Sequence, residues 1–195
     1  MRPREPSRRD RSKMPRYITF LRAINVGGHN VKMDHLRQIF ESFGFANVET
    51  FIASGNVVFE SSAKKTAALE AKIATGLGKE LGYEVATFIR TPTELANIAS
   101  YKPFPPAELK AAVALNIAFL AEALDAKAKQ KLMTYKTDID NFAVHEREIY
   151  WSCLKKQSDS TFSNAVLERA LGIKATLRGV NTVQKMAARY GEGES

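Results

Sequence analysis

The chain has a single cysteine and no long uninterrupted hydrophobic run. One cysteine cannot form a disulfide framework. The best apolar stretch, residues 111–121, is broken by Asn116 and is shorter than the roughly 20 residues that a membrane span requires. No secretory leader pattern precedes the first apolar segment. We therefore expect a cytoplasmic protein that does not associate with a membrane, and its 45% hydrophobic content is sufficient for a folded core.

The positive charge is unevenly distributed along the chain. Residues 1–13 carry six basic and two acidic side chains, so half of the formal net charge of +8 lies in this stretch. Because it is rich in Arg and Pro and has no hydrophobic periodicity, we predict a disordered basic tail over residues 1–15. Such a tail would bind nucleic acid weakly through its charge. Residues 191–195 are predicted to be a flexible end.

Hydrophobic periodicity predicts the order β-α-β-β-α-β-α in residues 16–102. The helix around Met33 is expected to stop at Gly44, and Thr91 and Glu94 form a capping-box pattern around Pro92. The predicted strands are residues 17–22, 48–53, 56–60 and 83–90, with Ser54 and Gly55 as a tight turn between the second and the third.

The same order recurs in residues 103–190, after a proline-rich boundary at residues 102–106. The predicted strands are residues 112–120, 141–145, 148–153 and 175–178, and helices are expected at 125–135, at 162–171 and from Thr182. The fold class that follows is α+β, with two ferredoxin-like (split β-α-β) domains, residues 16–102 and 103–190, each ending in an extra helix.

Two motifs carry a resemblance to a known family. The segments LRAINVGG at residues 21–28 and SGNVVF at residues 54–59 resemble the bacterial family called domain of unknown function 1697. LERALG at residues 167–172 and Arg178 followed by NTV at residues 181–183 agree with it. The resemblance covers roughly residues 15–190 and implies a two-domain α/β fold but no activity. The chain differs from the family's usual pattern at Asp159 and Thr161, which flank Ser160, and at residues 179–180.

A cluster of polar and glycine residues is expected at one edge of the first sheet. In a split β-α-β unit, the first and third strands are neighbours, so the loop after the first strand meets the turn before the third. Backbone N–H groups of glycines ahead of a helix can bind an anion, and basic side chains can add charge-assisted hydrogen bonds. Turn formation alone also explains the glycines and the Ser-Gly-Asn sequence. The candidate ligand-binding residues are Arg22, Asn25, Gly27, Gly28, Lys32, Ser54, Gly55 and Asn56.

A second polar site is predicted from Ser160, Arg178, Asn181 and Thr182. The alternative interpretation is that Asn181 caps the last helix and Arg178 ends an edge strand. The three histidines lack metal-ligand spacing, and we expect no metal site and no cofactor. No residue pattern identifies a catalytic group, so the sequence leaves open whether the chain is an enzyme.

Three functions follow from these features. The first is binding of a small anionic ligand, with a phosphate or carboxylate group, at the sheet edge of the first domain. The second is nucleic-acid binding through the RRM-like topology and the basic tail. The third is a non-catalytic interaction module, and the oligomeric state is left open. We favour the first, because residues 17–21 are apolar on both strand faces, which predicts a sheet covered on both sides without an open base-stacking platform.

Overall fold

Two four-stranded antiparallel sheets with flanking helices make up the structure, a computed structural model that describes residues 14–25, 28–52 and 55–191. The strands are β1 (Arg16–Leu21), β2 (Ala46–Thr50), β3 (Asn56–Glu60), β4 (Thr87–Arg90), β5 (Ala114–Leu120), β6 (Asp140–His145), β7 (Glu148–Cys153) and β8 (Ala175–Gly179). The helices are α1 (Met33–Ser42), α2 (Thr66–Leu81), α3 (Pro92–Ser100), α4 (Pro106–Ala111), α5 (Ala126–Met133), α6 (Asn164–Leu171) and α7 (Val180–Tyr190). The described ranges contain no helix with the length and apolar character that membrane crossing requires.

The mixed α+β class is confirmed. The strand order is β2-β3-β1-β4 in the first sheet and β6-β7-β5-β8 in the second. The predicted order β-α-β-β-α-β-α is found from β1 to α3 and again from β5 to α7, where helix α4 precedes it. We call residues 16–102 the first half and residues 103–190 the second half. Of the predicted tail at residues 1–15 and the predicted flexible end at residues 191–195, residues 1–13 and 192–195 lie outside the described residues.

Several element boundaries differ from the sequence predictions. Strand β2 ends at Thr50, so the hairpin loop is wider than a tight turn at residues 54–55. Residues 106–111 form helix α4, which the sequence analysis did not predict; Pro106, the last residue of the predicted irregular boundary, lies in its first turn, where a proline is well tolerated. The last helix begins at Val180 with Gly179 as its N-cap residue. The interpretation of Asn181 as the cap of this helix is therefore wrong.

The molecule is layered around three hydrophobic clusters. One lies between the first sheet and helices α1 and α2, and another lies between the second sheet and helices α5 and α6. The middle cluster joins the two sheets together with α3 and α7. Within β1, Ile18 and Phe20 face the middle cluster, whereas Tyr17 and Leu21 face the helices. The prediction that this apolar strand is covered on both faces is confirmed.

The strand registers relate the two halves residue by residue. Phe20 on β1 pairs with Asn56 and Phe88, and Phe119 on β5 pairs with Glu148 and Thr176. The rings of Phe20 and Phe119 stack on each other with centroids 3.9 Å apart.

With these two phenylalanines matched, three further pairs of positions correspond in register. Arg90 matches Arg178, since they pair with Ile18 and Ile117 respectively. By the same registers Asn56 matches Glu148 and Leu21 matches Leu120.

Candidate functional site

A cleft of about 540 Å³ lies between the two halves and has two arginines in its walls. Arg22 follows β1 in the first half, and Arg178 belongs to β8 in the second half. The first candidate site and the second, which the sequence placed in different domains, therefore contribute to one cavity. The remaining wall comes from residues 23–25, Gln157, the start of α6 and the β8 residues next to Arg178.

The guanidinium group of Arg178 is buried and donates hydrogen bonds to amide, hydroxyl and backbone carbonyl oxygens. Its Nε donates to Asn56 Oδ1 at 2.7 Å, and Nη2 donates to the Leu21 carbonyl at 2.9 Å. Its Nη1 donates to the Thr176 hydroxyl and to the Leu177 carbonyl, both at 2.8 Å. Burial lowers the pKa of Arg178 to about 10. The group therefore remains positively charged at neutral pH.

The equivalent arginine of the first half has a different main partner. Arg90 Nε donates to the Glu148 carboxylate at 2.6 Å, and both side chains are almost fully buried. Arg90 Nη2 donates to the Leu120 carbonyl at 2.8 Å, matching the bond from Arg178 to Leu21. Each guanidinium also lies over the phenylalanine of the other half, Arg90 over Phe119 and Arg178 over Phe20. The two arginines thus have similar surroundings, but Arg90 is bound to a carboxylate, whereas Arg178 is bound to an amide and to the Thr176 hydroxyl.

Arg22 is bound to helix α6, whose first residues line the cleft. Its Nε and Nη2 donate to the two carboxylate oxygens of Glu168, so the ion pair is bidentate. Glu168 also accepts the backbone N–H of Ala175 at 2.9 Å, which fixes the carboxylate against β8. Because Arg22 is half-buried, its guanidinium is still accessible from the cavity.

The segment between β1 and α1 is shaped by close backbone contacts. Ala23 has a φ of +61°, which is unusual for a residue with a side chain. The Asn25 side chain accepts the N–H of Val31 at 2.7 Å and so closes the loop. At Gly55, an added Cβ would lie 2.7 Å from Ile24 Cγ2, so glycine allows the hairpin to approach this segment. Asn25 lines the cleft, whereas Gly55 does not line it but lies against the lining residues Ile24 and Leu21.

Several predicted residues of the first site lie elsewhere. Gly28 and Lys32 are exposed and do not line the cleft. Residues 29–32 separate Gly28 from the first residue of α1, so Gly28 does not lead directly into the helix as expected. Asn56 is fully buried and acts through Arg178 and through its Nδ2 donation to the Phe51 carbonyl. Gly27 and Ser54 lie outside the described residues.

Only Arg178 of the second predicted site lines the cleft. The Ser160 hydroxyl instead donates to Asp140, which also accepts the indole N–H of Trp151. Asn181 and Thr182 lie in the first turn of α7, outside the cleft wall.

The sequence analysis did not predict that Glu168 binds Arg22 or that Thr176 lines the cleft and binds Arg178. Glu168 stands within the LERALG motif, but its spacing from Arg22 gave no chemical signal, since the two residues meet only in the tertiary structure.

Comparisons with known proteins identify a family and a similar fold. A family model described as a protein of unknown function (DUF1697) matches residues 14–150. A solved structure, described as the conserved bacterial protein SP0830 from Streptococcus pneumoniae, is 22% identical with a TM-score of 0.75. The match covers 92% of this chain and 99% of that protein, which indicates a shared fold. A search of curated proteins gives no significant match.

Proposed function

Since the chain belongs to the DUF1697 family of proteins of unknown function, we propose its function from the cleft itself: it binds a small anionic ligand between the two halves. The ligand carries a phosphate or a carboxylate group. The main support is that two guanidinium groups, Arg22 and Arg178, line one cavity.

Physical chemistry favours an anion at this place. A charge-assisted hydrogen bond contributes roughly 1.5–3 kcal/mol, and a guanidinium matches the geometry of carboxylate and phosphate oxygens. Arg22 is the group accessible for direct contact, whereas Arg178 lies deeper and supplies a positive potential that water screens less. The Glu168 carboxylate balances one of these two charges.

Each half is also proposed to be a ferredoxin-like unit, because the antiparallel order β2-β3-β1-β4 has the first strand beside the third. The RRM domain shares this topology and binds single-stranded RNA on an open sheet face. Here the described faces of both sheets are covered, by helices on one side and by the other sheet on the other side. This packing favours a small ligand in the cleft over nucleic acid on a sheet.

Titration with inorganic phosphate and with acetate tests the proposal. We expect saturable shifts of the backbone amide signals of residues 22–25 and 176–178 in nuclear magnetic resonance spectra. Chloride at matched ionic strength serves as the control for general screening. Arg22→Gln and Arg178→Gln should each weaken binding about tenfold or more, the size of one lost charge-assisted bond.

Arg37→Gln is the matched control variant. Arg37 is exposed on α1, where it pairs with Asp34 and Glu41, and it does not line the cleft. This substitution should leave the affinity unchanged. Equal affinity in the Arg22, Arg178 and Arg37 variants, or no saturable shift in the unaltered protein, would overturn the proposed function.

A further inference from the structure

We propose that the cleft selects organic monocarboxylates in which the carboxylate is joined to a small apolar group. The inference rests on the proposed function and narrows its ligand from anions in general to one chemical class. Two observations support it. Apolar residues share the cleft wall with Arg22, and the Glu168 carboxylate already lies against the guanidinium of that arginine.

The cleft is large for an inorganic anion, and much of its wall is apolar. Its volume of about 540 Å³ lies in the range of roughly 300–1,000 Å³ that is typical of sites for organic ligands. The apolar lining residues are Leu21, Ala23, Ile24, Ala165 and Leu177. An inorganic anion would leave this surface in contact with water, whereas an alkyl group would cover it. Each methylene group buried in this way strengthens binding by about threefold to fourfold.

Arg22 provides the contact for the carboxylate next to this apolar wall. Its Nε and Nη2 are bound to Glu168, and in the described part of the chain its Nη1 donates to no acceptor. The Arg22 side chain is 29% exposed, so a ligand can reach it. Leu21, Ala23 and Ile24 surround Arg22 in the sequence and line the same cavity. A carboxylate bound at Nη1 can therefore place its apolar group against the wall.

Glu168 makes the site distinguish one negative charge from two. Its carboxylate is fixed against Arg22 and accepts the N–H of Ala175 at 2.9 Å. Because the Glu168 side chain is only 12% exposed, water screens its charge incompletely. An anion on Arg22 is therefore repelled by Glu168, and this repulsion increases with the charge of the anion. A phosphate monoester carries close to two negative charges at neutral pH and a carboxylate carries one, so the carboxylate is favoured.

Titration of the unaltered protein with acetate, propionate, glycolate and ethyl phosphate tests this inference. Propionate adds a methyl group to acetate, and glycolate adds a hydroxyl group of similar size at the same place. We expect propionate to bind about threefold more tightly than acetate, and glycolate to bind no more tightly than acetate. Ethyl phosphate should bind more weakly than propionate. The measurement is the shift of the backbone amide signals of residues 22–25, with chloride used to keep the ionic strength constant.

Ala165→Asn tests the apolar wall. Ala165 is the exposed second residue of α6, and an asparagine there makes the wall polar without disturbing a buried contact. The ratio of propionate affinity to acetate affinity should fall about twofold. Ala67→Asn is the matched control, because Ala67 is the exposed second residue of α2 and does not line the cleft. This control should leave the ratio unchanged.

Glu168→Gln tests the selection by charge. The substitution keeps the shape of the side chain and removes the repulsion, so the affinity for ethyl phosphate relative to propionate should rise about threefold or more. Glu41→Gln is the matched control, since Glu41 is exposed on α1, pairs with Arg37 and lies outside the cleft. Urea denaturation checks that the variants fold. The titrations of the unaltered protein decide the inference even if Glu168→Gln does not fold.

The outcomes separate this inference from the proposed function. If the unaltered protein binds neither acetate nor inorganic phosphate, the proposed function fails and the inference fails with it. If acetate binds but propionate binds no more tightly, or glycolate binds as tightly as propionate, the inference alone is overturned. Tighter binding of ethyl phosphate than of propionate also overturns it. So does an unchanged affinity ratio in a folded Ala165→Asn or Glu168→Gln variant.

Discussion

Two buried arginines, Arg90 and Arg178, show how individual residues are stabilised at the contact between the halves. A guanidinium moved out of water loses hydration and must regain hydrogen bonds and charge partners inside the protein. Arg90 regains them from the Glu148 carboxylate and from backbone carbonyls, whereas Arg178 uses an amide, a hydroxyl and carbonyls. Except for the bond from Arg178 to the Thr176 hydroxyl, these bonds run across the contact between the halves, so each arginine also fixes one half against the other.

Removal of the carboxylate at Arg90 should strongly destabilise the protein. In Glu148→Ala the buried guanidinium loses its counter-ion, and we expect the free energy of unfolding to fall by about 3–5 kcal/mol. Urea denaturation followed by Trp151 fluorescence measures the change. Glu84→Ala provides the comparison, because the Glu84–Lys174 pair also joins the two halves but is exposed, and its loss should cost less than about 1 kcal/mol. Similar losses in the two variants would show that burial does not decide the strength of these pairs.

Among the helices, α3 has the start most clearly defined by its sequence. The Thr91 side chain accepts the N–H of Glu94 at 3.2 Å, and the Glu94 carboxylate accepts the N–H of Thr91 at 2.7 Å. Pro92 occupies the first helical turn, where its missing N–H has no cost. The helix then buries Leu95 and Ile98 in the cluster between the sheets and packs against α7.

Loss of this cap should weaken α3 by a modest and measurable amount. Thr91→Ala removes the acceptor for the Glu94 N–H, and we expect the free energy of unfolding to fall by about 1 kcal/mol. Thr91→Ser keeps a hydroxyl at the same place and should retain most of the stability. The measurement is urea denaturation of the three proteins under identical conditions. Equal stability of the alanine and serine variants would show that the cap contributes nothing to the fold.

At the scale of the whole molecule, the main feature is the hydrophobic cluster between the two sheets, which both halves share. Phe20 and Phe119 stack at the centre of this contact, and both are fully buried. Helices α3 and α7, one from each half, cover the same cluster. A boundary at residues 102–103 stays a prediction, but Phe104 just beyond it is buried in the shared cluster.

Because this cluster is shared, the two halves should unfold together. Phe119→Ala removes a stacked ring and leaves a cavity, which should lower the free energy of unfolding by about 3–5 kcal/mol. The loss should appear equally in Trp151 fluorescence, which reports on the second half, and in amide hydrogen exchange of β1 and β3 in the first half. Two separate transitions, with only the second half destabilised, would refute the coupling.

The sequence alone determined the order of the elements, apart from helix α4. Strand β3 has the bounds that its sequence predicts, and Gly82 and Gly172 end their helices in the left-handed conformation that glycine favours. These features depend on neighbouring residues, and the apolar faces of β1 already indicated a sheet covered on both sides. The ends of β2 and β4 and the helix α4 were missed because local patterns set element boundaries only weakly.

The tertiary structure decided which residues come together in the site. The sequence placed Arg22 and Arg178 in two separate sites, and only the packing of one sheet on the other brings them to one cleft. The pairing of Arg22 with Glu168 joins residues 146 positions apart, and no local spacing encodes such a contact. The sequence predicts Asn56 at an open sheet edge, but the second half covers that edge and makes Asn56 a buried acceptor for Arg178. Local patterns predict strands and turns because these depend mainly on residues that are close in sequence. A site between two halves depends on long-range packing, which those patterns do not specify.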